Sequence, residues 1–331
     1  MDGTDTPIQD AIDQMNALDA TGSEPITLNV EAGTFAEYFY IDRDNLTLSG
    51  PNAGVNPNTG TREEEAVLTI GMDALDWNAY GWGYFQEVFG VEGDNVIVDG
   101  FTIQGDATNG GTQEILVDAM DAQNLILRNN IFRGTSGDMD SSFGVYAYAS
   151  SDATTTTIIE DNAFDNLDVA NVLVSNSYGE VKNNVMTNVK VGVQTNTEYY
   201  DNTSNSDKIE IANNIIHAGR YGIWHNAMGP NGDETAYIHD NTIYGLPPDT
   251  NPSYGIYITS MAGSSTVLVE DNTVDGTDFG IGVWNAALGS TTLSGNVLKN
   301  NKVGVILDND SYPTERGMSP VSYTHLTLPT N

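Results

Sequence analysis

The sequence predicts an all-β fold: a single-stranded parallel β-helix, a solenoid closed at one end by a short N-terminal capping helix. Three observations lead there. Seven segments alternate apolar residues, then carry Asp-Asn or Asn-Asn (Gly-Asn in the last), then return to apolar residues. A small residue, usually Gly before Val or Ile, follows each asparagine at one of two fixed distances. No long segment after residue 20 has helical periodicity.

Taken in chain order, "IQDAIDQMNALD" (8–19) sets Ile8, Ile12, Met15 and Leu18 at helical spacing. With the rest of residues 1–25 it forms a cap over the open end of the stack, where unpaired strand edges need cover. The strands of the first coils are "ITLNVEAGTF" (26–35), "EYFYI" (37–41) and "NLTLSG" (45–50). Residues 51–66 read as loop, and the aromatic-rich stretch 76–90 fits no element. "VIVDGFTI" (96–103) is an early repeat with Gly100 in the asparagine place.

The seven repeats follow, with second asparagines Asn130, Asn162, Asn184, Asn214, Asn241, Asn272 and Asn296. Short strands at this spacing, with no helices between them, fit coils stacked roughly 4.8 Å apart. Equivalent residues then lie above one another. A column of asparagines, each both donor and acceptor, hydrogen-bonds along the axis at a bent corner. The small residue marks a second corner, where Gly suits a positive φ or a tight bend. The β-helix is expected to span 26–310, with 311–331 a disordered or artefactual tail. Residues 319–331 ("SPVSYTHLTLPTN") resemble a translated sequencing adapter, so the chain is expected to be a fragment.

Acidic residues number 46 against 11 basic ones, a formal net charge of −35. That surface repels nucleic acid and anionic membranes, so neither is an expected partner. No apolar run has the length of a membrane span, and no cysteine is present.

From "IQDAID…ITLNVEAGTFAEYFYIDRDNLTLSG" (8–50) through the asparagine coils to about Asp310, the chain resembles the pectin-lyase-like β-helix proteins. The resemblance implies a right-handed helix. The superfamily includes lyases, hydrolases, esterases, tailspikes and adhesins, so it leaves activity open. Gly33-Thr34-Phe35-Ala36-Glu37 departs from the esterase start Gly-x-Tyr-x-Glu by Phe for Tyr. The Asp-Asp, Gly-His-Gly and Arg-x-Lys motifs of polygalacturonases are missing, as is the Arg-x-Pro-x-x-Arg of the commonest pectate lyases.

Alternation assigns directions to side chains. Three residues after each asparagine is an outward, mostly polar column that includes His217. After the second mark, Tyr146, Gln194, Trp224 and Tyr257 are expected to point outward, joined two residues on by Tyr148, Asn226 and Trp284. Aromatic rings beside amides suit sugar rings. The same aromatics also favour strands and can be covered by the variable loops. His225 is expected inside. His217, Arg220 and His239 are catalytic candidates if adjacent coils bring them together. Calcium is the one cofactor considered, through acidic loops 2–7 and 308–311, which lack the twelve-residue calcium-loop spacing.

Three functions follow: a secreted or surface module contacting a polysaccharide or cell-surface glycan, a polysaccharide lyase or glycoside hydrolase, or a structural spacer in a larger adhesin. The expected setting is extracellular or on a bacterial surface in saline surroundings. The oligomeric state is not legible.

Overall fold

The computed structural model describes residues 6–19, 21–71, 85–105, 113–134, 142–148, 155–174, 178–196, 208–227, 235–247, 252–260, 266–284, 290–308 and 322–323. The helix spans Pro7–Leu18, with proline in its first turn, where no intrahelical donor is lost. It buries Ile8 and Ile12 against the end of the stack, and Met15 packs beside them. Leu18, expected on that face, is 90% exposed because the helix ends there. The buried Glu37 carboxylate accepts the free N–H groups of Ile8 (3.2 Å) and Gln9 (3.3 Å) at the helix start. Buried Arg43 donates to the Asp19 carbonyl (2.7 Å) and pairs with its carboxylate (3.1 Å), fastening the helix end to the first coil.

Behind the cap, every strand pairing is parallel, coil on coil. Each coil supplies a strand to each of three rows. The first row is an eleven-stranded sheet running from Ile26–Asn29 to Ser322–Tyr323. That last short strand lies within the tail set aside above, and pairs with Thr292 and Leu293. The second and third rows count as one sheet because Ala163–Val174, Val185–Asn196 and Ile215–Ala227 run through both.

The corner between the first and second rows has two parts. The residue before each ladder asparagine takes the left-handed conformation: Asn129, Asp161, Asn183, Asn213, Asp240 and Asp271 have φ between 53° and 57°. Asn and Asp tolerate this best among non-glycine residues, and Gly100 and Gly295 stand in the same place. The next residue is the buried ladder asparagine. Asn162 Oδ1 accepts the Asn130 N–H (2.8 Å), Asn184 Oδ1 that of Asn162 (2.9 Å), and the chain of contacts continues to Asn296 Oδ1. Each Nδ2 also donates to a carbonyl of the preceding coil, as Asn214 does to Val181 (2.8 Å).

Two residues beyond each ladder asparagine, Phe132, Phe164, Met186, Ile216, Ile243, Val274 and Leu298 fill the core. Phe132 and Phe164 stack with centroids 4.5 Å apart. A second left-handed residue, four beyond the ladder, turns several coils into the third row: Asn166, Asn188, Gly276 and Asn300. The coil of Asn214 has Ala218 there, and its register against the coil below shifts on either side of Val189.

Candidate functional site

The third row contains the glycine corner. At Gly144, Gly192, Gly222, Gly255 and Gly280 the backbone does not have positive φ, contrary to one expectation. Glycine is needed because the corner faces inward and the coils crowd it. A Cβ on Gly192 would lie 2.5 Å from the Gly222 carbonyl oxygen and 2.6 Å from Ile216. The residue after each glycine also points inward: Val145, Val193, Ile223, Ile256 and Ile281 are buried in the core. Two consecutive inward residues leave the residues on both sides facing out. Strict alternation identifies only one of these outward columns.

The missed column precedes the glycine: Phe143, Val169, Val191, Tyr221, Tyr254 and Phe279 stack in register. Its signal is the dipeptide Phe-Gly or Tyr-Gly at 143–144, 221–222, 254–255 and 279–280. The expected column stacks as Tyr146, Val172, Gln194, Trp224, Tyr257 and Gly282. Together they form a second apolar cluster, separate from the core and lying outside the coils.

Its upper part is a continuous aromatic surface. Tyr221 stacks on Tyr257 (5.2 Å) and touches Trp224 (5.2 Å) and Tyr254 (5.7 Å). Tyr254 stacks on Phe279 (4.8 Å), and Tyr257 meets Trp284 edge-on (6.5 Å). Gly282 makes room, since a Cβ there would lie 2.8 Å from the Tyr254 ring. Tyr221 is buried beneath, while Trp224, Tyr257 and Trp284 are half-buried. Polar groups border the rings: Trp224 Nε1 donates to Thr259 Oγ1 (3.3 Å), whose hydroxyl donates to Asn226 Oδ1 (2.7 Å). Tyr146 and Tyr148 lie lower, with Val172 and Gln194 between Tyr146 and Trp224. The expected single aromatic face is therefore two groups joined by valines.

Below Tyr146 the same columns turn acidic. Asp118 pairs in register with Tyr146 above and Gly90 below, and Glu87 precedes the corner on the Gly90 strand. The space a Gly90 side chain would fill is taken by the Tyr40 ring and the Tyr38 hydroxyl, the latter 3.2 Å from that position. Tyr38 also hydrogen-bonds to Glu87. Burial pushes the Glu87 carboxyl up to about 7, against a smaller lowering by Tyr38. Burial first, and the Glu87 charge second, raise Asp118 well above the usual carboxylate range. Asp118 Oδ1 is out of contact with solvent and has no hydrogen-bonding partner among the described residues.

The histidine and arginine candidates do not converge. His217 stacks on Tyr244 (4.7 Å) on the outside of the second row. Arg220 lies over the Tyr221 ring, 5.0 Å from its centroid, at the irregular corner of its coil. His239 is on the first row, bonded to Asp240 (2.8 Å) and Glu210 (3.0 Å). His225 is buried, with Nδ1 2.7 Å from Thr195 Oγ1. Among the described residues, no three His, Asp or Glu side chains are grouped to hold a metal ion. The loops named for calcium fall mostly outside those residues. No described helix is long and apolar enough to cross a membrane.

Residues 202–316 match the family described as a right handed beta helix region. Among curated proteins, none matches the chain. Solved structures with this fold include a mutant tailspike protein of E. coli bacteriophage HK620 in complex with pentasaccharide. It has 12% identity and a TM-score of 0.53 over 88% of this chain, which spans 62% of the tailspike. A hyperthermoactive exopolygalacturonase from Thermotoga maritima has 10% identity and a TM-score of 0.49, over 95% of this chain and 87% of its own. PfbA, a surface adhesin of Streptococcus pneumoniae, has 16% identity and a TM-score of 0.48, over 92% and 90%. Parallel register and the family match over 202–316 together define the fold as a right-handed parallel β-helix.

Proposed function

We propose that the outer face of the third row binds a glycan, in a protein that works outside the cell or on its surface. The observation that supports this reading is the half-buried aromatic surface of Trp224, Tyr257 and Trp284 over Tyr221 and Tyr254, edged by Asn226 and Thr259. Apolar ring faces take the C–H faces of sugars, and the amide and hydroxyl groups take their hydroxyls. A mutant tailspike with this fold is in complex with a pentasaccharide, which supports an oligosaccharide as the ligand class. The acidic balance favours a neutral glycan over a polyuronate.

The test is binding to an immobilised glycan panel, followed by calorimetry on the hits. Trp224→Ala with Tyr257→Ala is expected to weaken binding about 10–100-fold, the scale of two lost aromatic contacts. Unchanged affinity in the double variant would move the ligand to another face. No binding across neutral, acidic and amino-sugar glycans would favour the spacer.

A further inference from the structure

Nearly every buried or half-buried cation of this acidic chain is neutralised where it stands. Arg43 pairs with Asp19, Arg62 with Glu65, Arg128 with Asp99, Lys182 with Glu180 and Lys190 with Asp168. Arg220 is the exception among the described residues: it is half-buried and pairs with no carboxylate. Its guanidinium lies over the Tyr221 ring instead. Its Nε is sealed from solvent without a hydrogen-bonding partner, while its two Nη groups are not sealed. A donor left unpaired in this way calls for a ligand, an ion or a water molecule at the same group.

The backbone builds this position. Between Met186 and Val189 the lower coil has one residue more than the coil of Arg220, at the left-handed Asn188. Between Val189 and Val191 the excess passes to the upper coil, at Gly219 and Arg220. An extra residue of this kind re-aims a side chain out of its column. The neighbours of Arg220 along the stack are engaged elsewhere. Below it, Lys190 holds Asp168 at 3.4 Å. Above it, the Ser253 N–H donates to Asp278 (2.9 Å), which also pairs with Lys302. The guanidinium is 5.0 Å from the Tyr221 centroid, and that ring is 5.2 Å from both Trp224 and Tyr257. A sugar stacked on these rings has Arg220 at its edge.

We propose that Arg220 receives an anionic group carried by a sugar of the bound glycan. The proposal rests on the glycan-binding reading and narrows its ligand class to neutral sugars with sparse anionic substituents. Two opposing electrostatic effects set that class. A polyanion would bring most of its charges against a chain of net charge −35. A single anion on Arg220 meets a planar fork of donors that matches two oxygens of a carboxylate or a sulfate. Salt damps charges more than about 8 Å apart and damps a half-buried contact much less, so the local attraction outlasts the distant repulsion.

The experiment is calorimetry on the full chain with hexasaccharides of glucan, mannan and galactan. Each is used plain, with one carboxymethyl group, or with one sulfate ester. The expected result is that a substituted form binds about 10–100-fold tighter than its plain counterpart, the scale of hydrogen bonds to a charged group. The carboxymethyl and sulfate arms show which anion Arg220 takes, and a preference for either supports the proposal. Arg220→Gln should abolish the preference and leave affinity for the plain form within about 2-fold. Arg220→Lys should keep part of it, as a point charge without the fork. Trp224→Ala with Tyr257→Ala should weaken both forms alike. A plain form bound as tightly as its substituted counterparts overturns the proposal and leaves glycan binding intact. A preference that survives Arg220→Gln overturns it too, as does an Arg220→Gln variant that loses affinity for all forms equally, which would make Arg220 a packing residue on Tyr221. If no hexasaccharide binds, both readings fall together. The unaltered chain gives a check that needs no variant to fold: the Arg220 Nε–H nitrogen-15 signal should move with the substituted form and not with the plain one. Equal movement with both would overturn the assignment.

Discussion

At the asparagine corner the chain turns with a polar side chain inside; at the glycine corner it turns with no side chain inside and aromatic rings outside. The first is repeated with little variation from Asn130 to Asn296, because each amide must fit the coils above and below. The second keeps only its inward residues constant. Its outward columns run from Glu87 and Asp118 through Phe143 and Tyr146 to Tyr254 and Tyr257. One corner is constrained by its own stack. The other is free to vary on its outward side, where the proposed glycan would lie.

This contrast is tested first where the effect is largest. Asn214→Ala deletes the acceptor for the Asn184 N–H and the donor to the Val181 carbonyl, both buried. Leaving two such groups unpaired costs about 2–6 kcal/mol at about 1–3 each. Denaturant unfolding should show that loss, with glycan affinity unchanged in the fraction still folded. The aromatic variant Trp224→Ala with Tyr257→Ala should lose affinity in the folded fraction itself, beside the stability lost with five ring contacts at about 0.5–1.5 kcal/mol each. If the asparagine variant lost affinity and kept its stability, the division of labour between the corners would be wrong.

The stack was legible because its physics repeats. A period-2 apolar pattern, a turn-forming Asn or Asp and an amide that pairs with its own kind recur at every coil, so sequence displays them several times. The aromatic face was half legible. Tyr146, Trp224 and Tyr257 followed from alternation, but Tyr221, Tyr254 and Phe279 lie on the other side of a corner where alternation stops for one residue. The left-handed turns at Asn166 and Asn188 were likewise hidden, since only some coils have them. Glu87 and Asp118 were invisible for a different reason. They occur once each, on coils without a ladder asparagine, and only their shared burial distinguishes them from the many other acidic residues.

The acidic end of the outer face offers a smaller, pH-dependent test. A carboxyl whose folded pKa is raised binds its proton more tightly in the folded state. Its contribution is therefore present at low pH and is lost as pH rises from the unfolded value near 4.5 toward the folded value of about 7 for Glu87. Stability of the wild-type chain should fall across that window. Glu87→Gln, neutral throughout, should flatten the slope. A slope identical in the two proteins would mean that Glu87 ionises as readily folded as unfolded.

The first row supplies the counterpart and the smallest effect. Its outer face carries charges of alternating sign: Asp99 beside Arg128 (2.8 Å), then Glu160 near Lys182 (3.7 Å), with His239 and Glu270 two coils further on. Burial lowers the pKa of His239, and its hydrogen bonds to the Asp240 and Glu210 carboxylates outweigh that and raise it overall above 6.5. Stability from the charged imidazole is thus fully present below the unfolded value near 6.5 and is lost as pH rises through the folded one. The contacts are partly exposed, so solvent and salt screen them. His239→Gln should lower the unfolding midpoint slightly at about pH 5.5, below the unfolded value, and less at about pH 8, above it. The acidic-side difference should shrink in high salt, and glycan affinity should stay the same. A deficit equal at both pH values would assign His239 to packing against Tyr237, whose ring lies 3.9 Å away, rather than to charge.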